Sequence, residues 1–360
     1  MKLLHVITSL YTGGAEMLVV NLIPRFVELG YEVGLVVFNG EHTPLMERLE
    51  KECPQCVIYR LGNSFYNPWY IIKLIGIMRK YDIVHTHNSS PQLYAAVANL
   101  FCHKIMVTTE HNTHNRKRGN RILSLIDKWM YARYDHIICI SKQAEENLQS
   151  YLQNESGCLK KIVTIYNGVN IETIHSAQPL QREKPDKFLV VMVAAFRPQK
   201  DHATLIKAMM RLPKEKFEAW LVGDGESHAE VEKLIKDLGM EDRVKMVGLR
   251  TDVPQILKTA DVIVMSTHYE GLSLSNIEGM AAGKPFVASD VEGIREITKG
   301  FGILVPHEDA DALAEAIKQL HDDKMYYKQI ADKCYKRATQ FDMSNMVSRY
   351  NDVYLSFSRL

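Results

Sequence analysis

Residues 2–29, KLLHVITSLYTGGAEMLVVNLIPRFVEL, contain a short apolar run, a loop with two adjacent glycines and a long amphipathic segment. The run at 3–7 has the length and composition of a buried strand, and the spacing of apolar residues over 15–29 is typical of a helix. A strand, a glycine-containing turn and a helix in this order form the first half of a β-α-β unit. This stretch therefore predicts an α/β fold with a parallel sheet.

The same alternation continues through most of the chain. Strands are predicted at 3–7, 33–38, 57–61, 83–85, 105–109, 137–140 and 162–165, and then at 189–193, 219–222, 244–246, 262–265, 286–288 and 303–305. The polar stretch 170–187 contains two prolines and predicts a linker, whereas 326–360 is predicted to be helical with a break near 341–342. We therefore expect two Rossmann-like, doubly wound domains in series, at 1–168 and 188–342, whose strand ends face each other across a cleft.

The amino-acid composition and charge of the chain limit the classes of protein to which it can belong. The chain has 360 residues, of which 46% are apolar and 24% charged, and its formal net charge is +1. This balance gives no indication of a nucleic-acid partner. No apolar run approaches the roughly 20 residues that span a bilayer, and no signal peptide is evident, so we expect a cytoplasmic protein with reduced cysteines.

Ligands of open parallel sheets bind beyond the carboxyl ends of the strands, so the loops after the strands are the candidate sites. The first such loop contains Gly13 and Gly14 directly before a helix. Glycine lets the backbone approach a ligand closely, and a helix N-terminus favours an anion. A tight structural turn is the alternative interpretation.

Histidines follow two predicted strands of the first half. By spacing, the pairs His85/His87 and His111/His114 could bind a metal ion. No pattern of carboxylates accompanies them, so we favour hydrogen bonds to a hydroxyl-rich ligand, or structural hydrogen bonds, over a metal site.

Two loops of the second half carry charged groups. Arg197 and Lys200 lie between a predicted strand and a helix, where cations suit a phosphate or diphosphate. Glu270 follows another strand, the backbone of 271–273 precedes a predicted helix, and Glu278 lies inside that helix. Two carboxylates on either side of an anion site match a sugar nucleotide, in which a diphosphate separates the sugar from the ribose.

With these residues in place, the sequence resembles glycosyltransferase family 4, a family of retaining enzymes with the two-domain GT-B fold, and in particular its bacterial polysaccharide type. The matching stretches extend over nearly the whole chain. They are GGAE at 13–16, DIVHTHN at 82–88, TEHN at 109–112, NGVN at 167–170, RPQKDHATLIKA at 197–208, LVGDGE at 221–226, EGLSLSNIE at 270–278, AAGKPFVAS at 281–289, GIREI at 293–297 and GILVP at 302–306.

The resemblance implies a role for each matching position. Glu270 would bind the transferred sugar, His111 would contact that sugar from the first domain, and Lys200 would bind the diphosphate, so these three are the expected catalytic residues. Gly14 would bind the diphosphate, and Glu278 would bind the ribose. From the residues themselves, we also expect the nucleotide-sugar to be bound by Gly13, Arg197, Gly271, Leu272 and Ser273. The C-terminal helix at about 343–360 would pack back on the first domain.

The sequence departs from the family at one position. The family commonly has an arginine five residues before the matching lysine, and this chain has Ala195 there. We expect Arg197 to supply the second contact to the diphosphate, because a lysine alone offers only a point charge.

These residues predict an enzyme that transfers a hexosyl or N-acetylhexosaminyl group without a metal or cofactor. The expected donor is a UDP-sugar rather than a GDP-sugar, and the expected acceptor is a glycan or a lipid-linked glycan. The alternatives are a catalytically silent nucleotide-sugar-binding subunit, which Ala195 keeps open, and a sugar-nucleotide epimerase of the same fold.

A basic run suggests where the protein acts. Arg116, Lys117, Arg118 and Arg121 lie within six residues of one another. Clustered cations are attracted to anionic lipid, so we expect peripheral contact with the cytoplasmic face of the inner membrane. A solvated loop is the alternative.

Overall fold

A computed structural model describes residues 1–11, 13–111, 121–153, 155–270 and 273–359. The chain forms two compact units. The first comprises Met1–Asn167 and Met346–Leu360, and the second comprises Gly168–Asn345.

The first unit alternates strands and helices. Its elements are β1 (Lys2–Ile7), α1 (Gly14–Glu28), β2 (Glu32–Asn39), α2 (Pro44–Glu52), β3 (Val57–Gly62), α3 (Tyr70–Met78), β4 (Ile83–His87), α4 (Ser89–Asn99), β5 (Ile105–Glu110), α5 (Arg121–Ala132), β6 (His136–Cys139), α6 (Lys142–Tyr151), α7 (Ser156–Leu159) and β7 (Ile162–Thr164).

The second unit repeats the pattern. Its elements are α8 (Ile171–His175), β8 (Phe188–Val193), α9 (His202–Arg211), β9 (Phe217–Val222), α10 (His228–Asp237), β10 (Val244–Gly248), α11 (Val253–Thr259), β11 (Val262–Met265), α12 (Leu274–Ala281), β12 (Phe286–Ser289), α13 (Glu292–Thr298), β13 (Ile303–Val305), α14 (Ala310–Asp322) and α15 (Lys324–Ala338). A short 3-10 segment, Thr339–Phe341, precedes α16 (Met343–Leu355), most of which belongs to the first unit.

Each unit is built on one parallel sheet. The strand order is β3-β2-β1-β4-β5-β6-β7 in the first and β10-β9-β8-β11-β12-β13 in the second. The order reverses between β1 and β4 and between β8 and β11, and a crevice forms beyond the strand ends at such a switch point. The loops after these four strands are therefore the places where each unit can bind a ligand.

All thirteen predicted strands are confirmed, with boundaries that shift by one or two residues. The helix predicted over 15–29 is confirmed in the same way, as α1. The helical tail is also confirmed, and its break falls at the 3-10 segment and Asp342. Buried strands covered on both faces have the continuous apolar runs that made them predictable.

The prediction of a linker over 170–187 is wrong in part. Residues 171–175 form α8, for which the Asn170 side chain accepts a hydrogen bond from the Thr173 N–H at 3.1 Å. Further along, Arg182 forms an ion pair with Asp261 at 2.9 Å. These contacts attach the stretch to the second unit, so polarity and proline content alone did not mark a free connection.

Within the described residues, no helix combines the length and the apolar character needed to cross a bilayer.

Candidate active site

The loop after β8 is held against the loop after β9. The Phe196 N–H donates to the Asp224 carbonyl at 3.0 Å. A Cβ atom on Gly223 or Gly225 would collide with the carbonyl oxygens of Ala194 and Phe196. Glycine is therefore required here by close backbone approach, and the contact fixes the start of the loop that carries the two predicted cations.

The same loop is also joined to the loop after β11, across the switch point of the sheet. The Thr267 hydroxyl donates to the Gln199 carbonyl at 3.0 Å, and the His268 N–H donates to the same oxygen at 2.9 Å. In return, the Gln199 side-chain amide donates to the Tyr269 carbonyl at 2.7 Å. These bonds bring position 200 next to position 270.

Lys200 and Glu270 form an ion pair. Their side chains are only 14% and 10% exposed, so little solvent screens the charges. Burial lowers the pKa of Lys200 to about 8, and the nearby Arg197 guanidinium adds to the shift. The pair is therefore a shielded cation and anion at the carboxyl end of the second sheet.

Helix α12 follows this pair. Ser273 precedes its first residue with an extended backbone and is buried, but within the described residues its hydroxyl does not cap the helix. Glu278 lies inside the helix, and burial raises the pKa of its carboxyl group. Ser273 therefore precedes the helix and Glu278 lies inside it, and their contacts with a nucleotide-sugar stay predictions. Gly271 and Leu272 lie outside the described residues.

Arg197 lies on the turn between β8 and α9, and its side chain is exposed. Ala195, at the position of the missing arginine, is exposed as well. The Arg197 guanidinium is a secondary cause of the lowered pKa of Lys200, after burial. The contact to a diphosphate that we expect of Arg197 stays a prediction.

One aspartate pair has the D-x-D spacing that can hold a metal ion to a diphosphate. It consists of Asp309 and Asp311, at the start of α14. The Asp309 carboxylate accepts the Ala312 N–H at 2.8 Å as a helix cap, and Asp311 forms an ion pair with Arg211. Both carboxylates thus have structural partners within the second unit.

In the first unit, the loop after β1 leads into α1. Gly13 precedes the helix, and a Cβ atom on Gly13 would collide with the Glu16 carboxylate, whereas the space around Gly14 is open. The Asn88 side chain donates to the Thr8 hydroxyl at 2.9 Å and to Glu16 at 3.4 Å. Asn88 itself has a positive φ of 68°. The carboxylate of Glu16 thus lies at the helix N-terminus where an anion was predicted.

The prediction that His85 and His87 lie in a loop facing a ligand is wrong. Both belong to β4 and are fully buried, because pairing with β5 continues through His87. His85 bonds to the Tyr354 hydroxyl at 2.5 Å and to the Thr109 hydroxyl at 2.8 Å. Its role is therefore the structural one that had been the alternative, and it connects the sheet to the C-terminal helix.

His111 lies immediately after β5, as predicted, and is partly exposed. Its Nε2 atom is 3.1 Å from Nδ1 of His87. Burial lowers the pKa of His111 to about 4, so the ring is neutral near pH 7. His114 and the predicted basic residues Arg116, Lys117 and Arg118 lie outside the described residues, and so does the side chain of Arg121.

Two described clusters have the spacing of metal ligands. His5, His85 and His87 are buried together in the first unit, and His268, His307 and Glu308 lie near the surface of the second. From the sequence, a metal ion at His85 and His87 was possible by spacing but not favoured, and His5 was not considered.

Several residues that organise the site were not predicted. His5 could have been found, because it is a polar residue inside an otherwise apolar strand. The hydrogen bonds of Gln199 and Thr267 could not be predicted from local sequence, because they join two loops that are far apart in the chain.

Two known protein families match the chain, one in each half. The family described as Glycosyltransferase Family 4 matches residues 12–173, and the one described as Glycosyl transferases group 1 matches residues 176–340.

Two bacterial relatives align over most of the chain. The N-acetylgalactosamine-N,N'-diacetylbacillosaminyl-diphospho-undecaprenol 4-alpha-N-acetylgalactosaminyltransferase of Campylobacter jejuni is 29% identical, over 93% of this chain and 94% of that protein. The UDP-Gal:alpha-D-GlcNAc-diphosphoundecaprenol alpha-1,3-galactosyltransferase of Escherichia coli is 26% identical, over 79% of this chain and 78% of that protein.

The fold is also shared with a solved structure. HepE of Anabaena, in complex with UDP, superposes with a TM-score of 0.84 at 21% identity, over 99% of this chain and all of that one. Together with the two parallel sheets, this likeness shows a GT-B fold. The chain belongs to the GT-B glycosyltransferases of the family 4 type.

Proposed function

We propose that the protein is a retaining, metal-independent glycosyltransferase that transfers a hexosyl or N-acetylhexosaminyl group from a UDP-sugar to a glycan or lipid-linked glycan. The observation that carries the proposal is the shielded ion pair of Lys200 and Glu270 at the switch point of the second sheet, where Lys200 precedes α9 and Glu270 lies in the loop before α12. A buried pair costs desolvation free energy, so it is more readily explained by a ligand than by stability.

The ion pair supplies a cation for the diphosphate and a carboxylate for the sugar, and sugar transfer needs both. Negative charge grows on the departing diphosphate, and preorganised cations and backbone N–H groups stabilise it. Lys200, Arg197 and the N-terminus of α12 would provide that stabilisation. Glu270 would then exchange its bond to Lys200 for bonds from hydroxyls of the sugar, while Glu278 accepts bonds from the ribose.

The names of similar proteins support the choice of donor and acceptor. HepE has been solved with UDP and with UDP-glucose. The relatives from Campylobacter jejuni and Escherichia coli are both named for acceptors that carry diphospho-undecaprenol. We therefore expect a uridine nucleotide and an acceptor at a membrane surface.

A thermal-shift series with UDP, GDP and their sugars tests the donor. Ligand at 100 times its Kd should stabilise the native state by about 2.7 kcal/mol, because it binds only the folded protein. UDP should raise the Tm more than GDP does, and Glu278→Gln should reduce the shift. Glu292→Gln, at an exposed position of α13, is the matched control.

Release of free UDP separates an enzyme from a silent subunit. The second possibility is kept open by Ala195, since a binding protein can lose one phosphate contact and still hold the nucleotide. A clear UDP-dependent Tm shift without UDP release, over a panel of acceptors, would favour the silent subunit.

Peripheral membrane contact would rest on Arg116, Lys117, Arg118 and Arg121. Each basic residue near an anionic leaflet contributes about 1 kcal/mol of attraction. Cosedimentation with vesicles should increase with the fraction of anionic lipid, and Arg116→Ala with Lys117→Ala and Arg118→Ala should abolish that increase. Binding that ignores the lipid charge would contradict the proposal.

A further inference from the structure

Three histidines of the first unit form a row that crosses neighbouring strands. His5 on β1 has its Nδ1 atom 3.1 Å from Nε2 of His87 on β4. His87 has its Nδ1 atom 3.1 Å from Nε2 of His111, just after β5. His5 and His87 are fully buried, and His111 is partly exposed at the end of the row.

All three rings are neutral near pH 7. Burial lowers the pKa of His5 to about 3 and that of His111 to about 4, and it holds the pKa of His87 well below its ordinary range. A neutral imidazole has one N–H donor and one bare nitrogen acceptor. His87 must therefore donate to one neighbour and accept from the other, so the tautomers of the three rings are coupled.

The buried end of the row sets its direction. Nε2 of His5 is buried and has no hydrogen-bond partner among the described residues. A buried N–H without a partner is rarer than an unpaired acceptor, so the proton of His5 belongs on Nδ1. His5 then donates to His87, and His87 in turn donates from its Nδ1 to Nε2 of His111.

We propose that His5 and His87 are positioning residues that hold His111 as the Nδ1–H tautomer, so that its ring presents a hydrogen-bond donor to a hydroxyl of the transferred sugar. The proposal rests on the proposed function for the contact with the sugar. No other hydrogen bond of His111 lies within the described part of the chain, so Nδ1 is available for that contact.

A buried metal ion is the competing explanation for the cluster, because His5, His85 and His87 lie close enough to share one. The hydrogen bonds of these histidines favour the hydrogen-bonded row over a metal site. Both nitrogens of His85 are engaged by the hydroxyls of Tyr354 and Thr109. A metal ion would also have to break the bond between His5 and His87.

The test is a long-range ¹H–¹⁵N NMR spectrum of the full chain labelled with [¹⁵N]histidine, which distinguishes a protonated from a bare ring nitrogen. The signal that disappears in His111→Gln identifies His111. We expect the Nδ1–H form alone in the wild type and a mixture of tautomers in His87→Phe and His5→Phe. His5→Asn should restore the Nδ1–H form, because its amide keeps a donor near the position of Nδ1.

His85→Phe is the matched control. His85 shares the strand, the face and the burial of His87 and stacks on it at 4.4 Å between ring centroids, but it bonds outside the row. The His85→Phe substitution should leave the tautomer of His111 unchanged. A loss of stability seen in both His85→Phe and His87→Phe is then a packing effect. If a Phe variant does not fold, the comparison of wild type with His5→Asn and the direct reading of the wild-type tautomer still test the proposal.

Kinetics provide the functional arm. His87→Phe should lower kcat about tenfold, as expected for loss of one aligned hydrogen bond, with little change in the Kd for UDP. An Nε2–H form of His111 in the wild type, an unchanged tautomer in His87→Phe, or a stoichiometric metal ion in the purified protein would each overturn the proposal. If only the proposed function is wrong, the protein turns over no UDP-sugar, but the tautomers of the three histidines remain coupled.

Discussion

The two units place opposite kinds of polar groups at the switch points of similar parallel sheets. In the second unit, Lys200 and Glu270 meet as a shielded ion pair, with the exposed Arg197 nearby. In the first unit, His5, His87 and His111 form a row of neutral rings. One unit thus concentrates charge, and the other removes it by burial.

This contrast matches the two parts of a sugar nucleotide. A diphosphate has formal charge and gains more as it departs, so it calls for fixed cations. A sugar is neutral and offers hydroxyls, which are recognised by aligned donors and acceptors. The proposed acceptor is Glu270 of the second unit, and the proposed donor is His111 of the first. The comparison teaches that two similar sheets carry different polar groups because of a few residues at the ends of their strands or just after them, and each unit can be tested separately.

The largest effect should come from removing the anion of the pair. Glu270→Gln keeps the size of the side chain but loses its charge, so the sugar would lose a strong acceptor and Lys200 its partner. We expect kcat to fall at least about 100-fold, given what misplacement of a reacting group costs. Steady-state assays of UDP release measure this, with Glu292→Gln as the control. A loss below about threefold would remove Glu270 from the proposed site.

Because the charge of Lys200 is titratable, kcat/KM should fall at alkaline pH. Burial sets its pKa at about 8, so the ammonium is present below that pH and is lost above it. Because kcat/KM reports on the free enzyme, it should fall about tenfold per pH unit above pH 8. The neutral histidines of the first unit add no titration in this range.

Lys200→Arg is the diagnostic variant for this pH dependence. A guanidinium stays charged throughout the range, so the alkaline fall should disappear even if the maximal rate is lower. An unchanged alkaline fall in Lys200→Arg would assign the titration to another group.

The elements of both units could be predicted from sequence because they depend on local periodicity. Each strand is an apolar run, and each amphipathic helix shows its own spacing. The predicted end of β4 was too early, since a polar residue at the end of an apolar run resembles a loop. The hydroxyl that stabilises His85 comes from Tyr354, 269 residues away, and no local pattern contains that information.

The candidate site could be predicted in part for the same reason. Lys200, Glu270 and Glu278 lie in loops or helix starts that the pattern identifies. Their pairing depends on the backbone bonds of Gln199 and on the close approach at Gly223, which arise only when two β-α loops fold together. Sequence indicated the chemistry of the second unit, whereas the row of histidines required the register of three strands.

A smaller effect should follow from removing the exposed cation of the second unit. Arg197→Ala should lower kcat/KM about tenfold, less than Glu270→Gln, because an exposed charge is screened by solvent and salt. Arg197→Lys should recover only part of the loss. Arg211→Ala, which removes an exposed arginine paired with Asp311, is the control and should stay near the wild-type rate. Equal rates for the two alanine variants would show that Arg197 does not contact the diphosphate.

The smallest effect should come from removing metal ions, because the second unit already offers protein cations for the diphosphate. With excess EDTA, UDP release should change by less than about twofold, since Lys200, Arg197 and the N-terminus of α12 would carry the stabilisation that a metal ion supplies elsewhere. Zn²⁺ added back would test the exposed cluster of His268, His307 and Glu308, whose His268 lies two residues before Glu270. His307→Ala separates an effect of that cluster from one on the diphosphate itself. If EDTA abolishes turnover and Mg²⁺ or Mn²⁺ restores it, the charge of the second unit is insufficient, and the comparison of a charged second unit with a neutral first unit would have to include a metal ion.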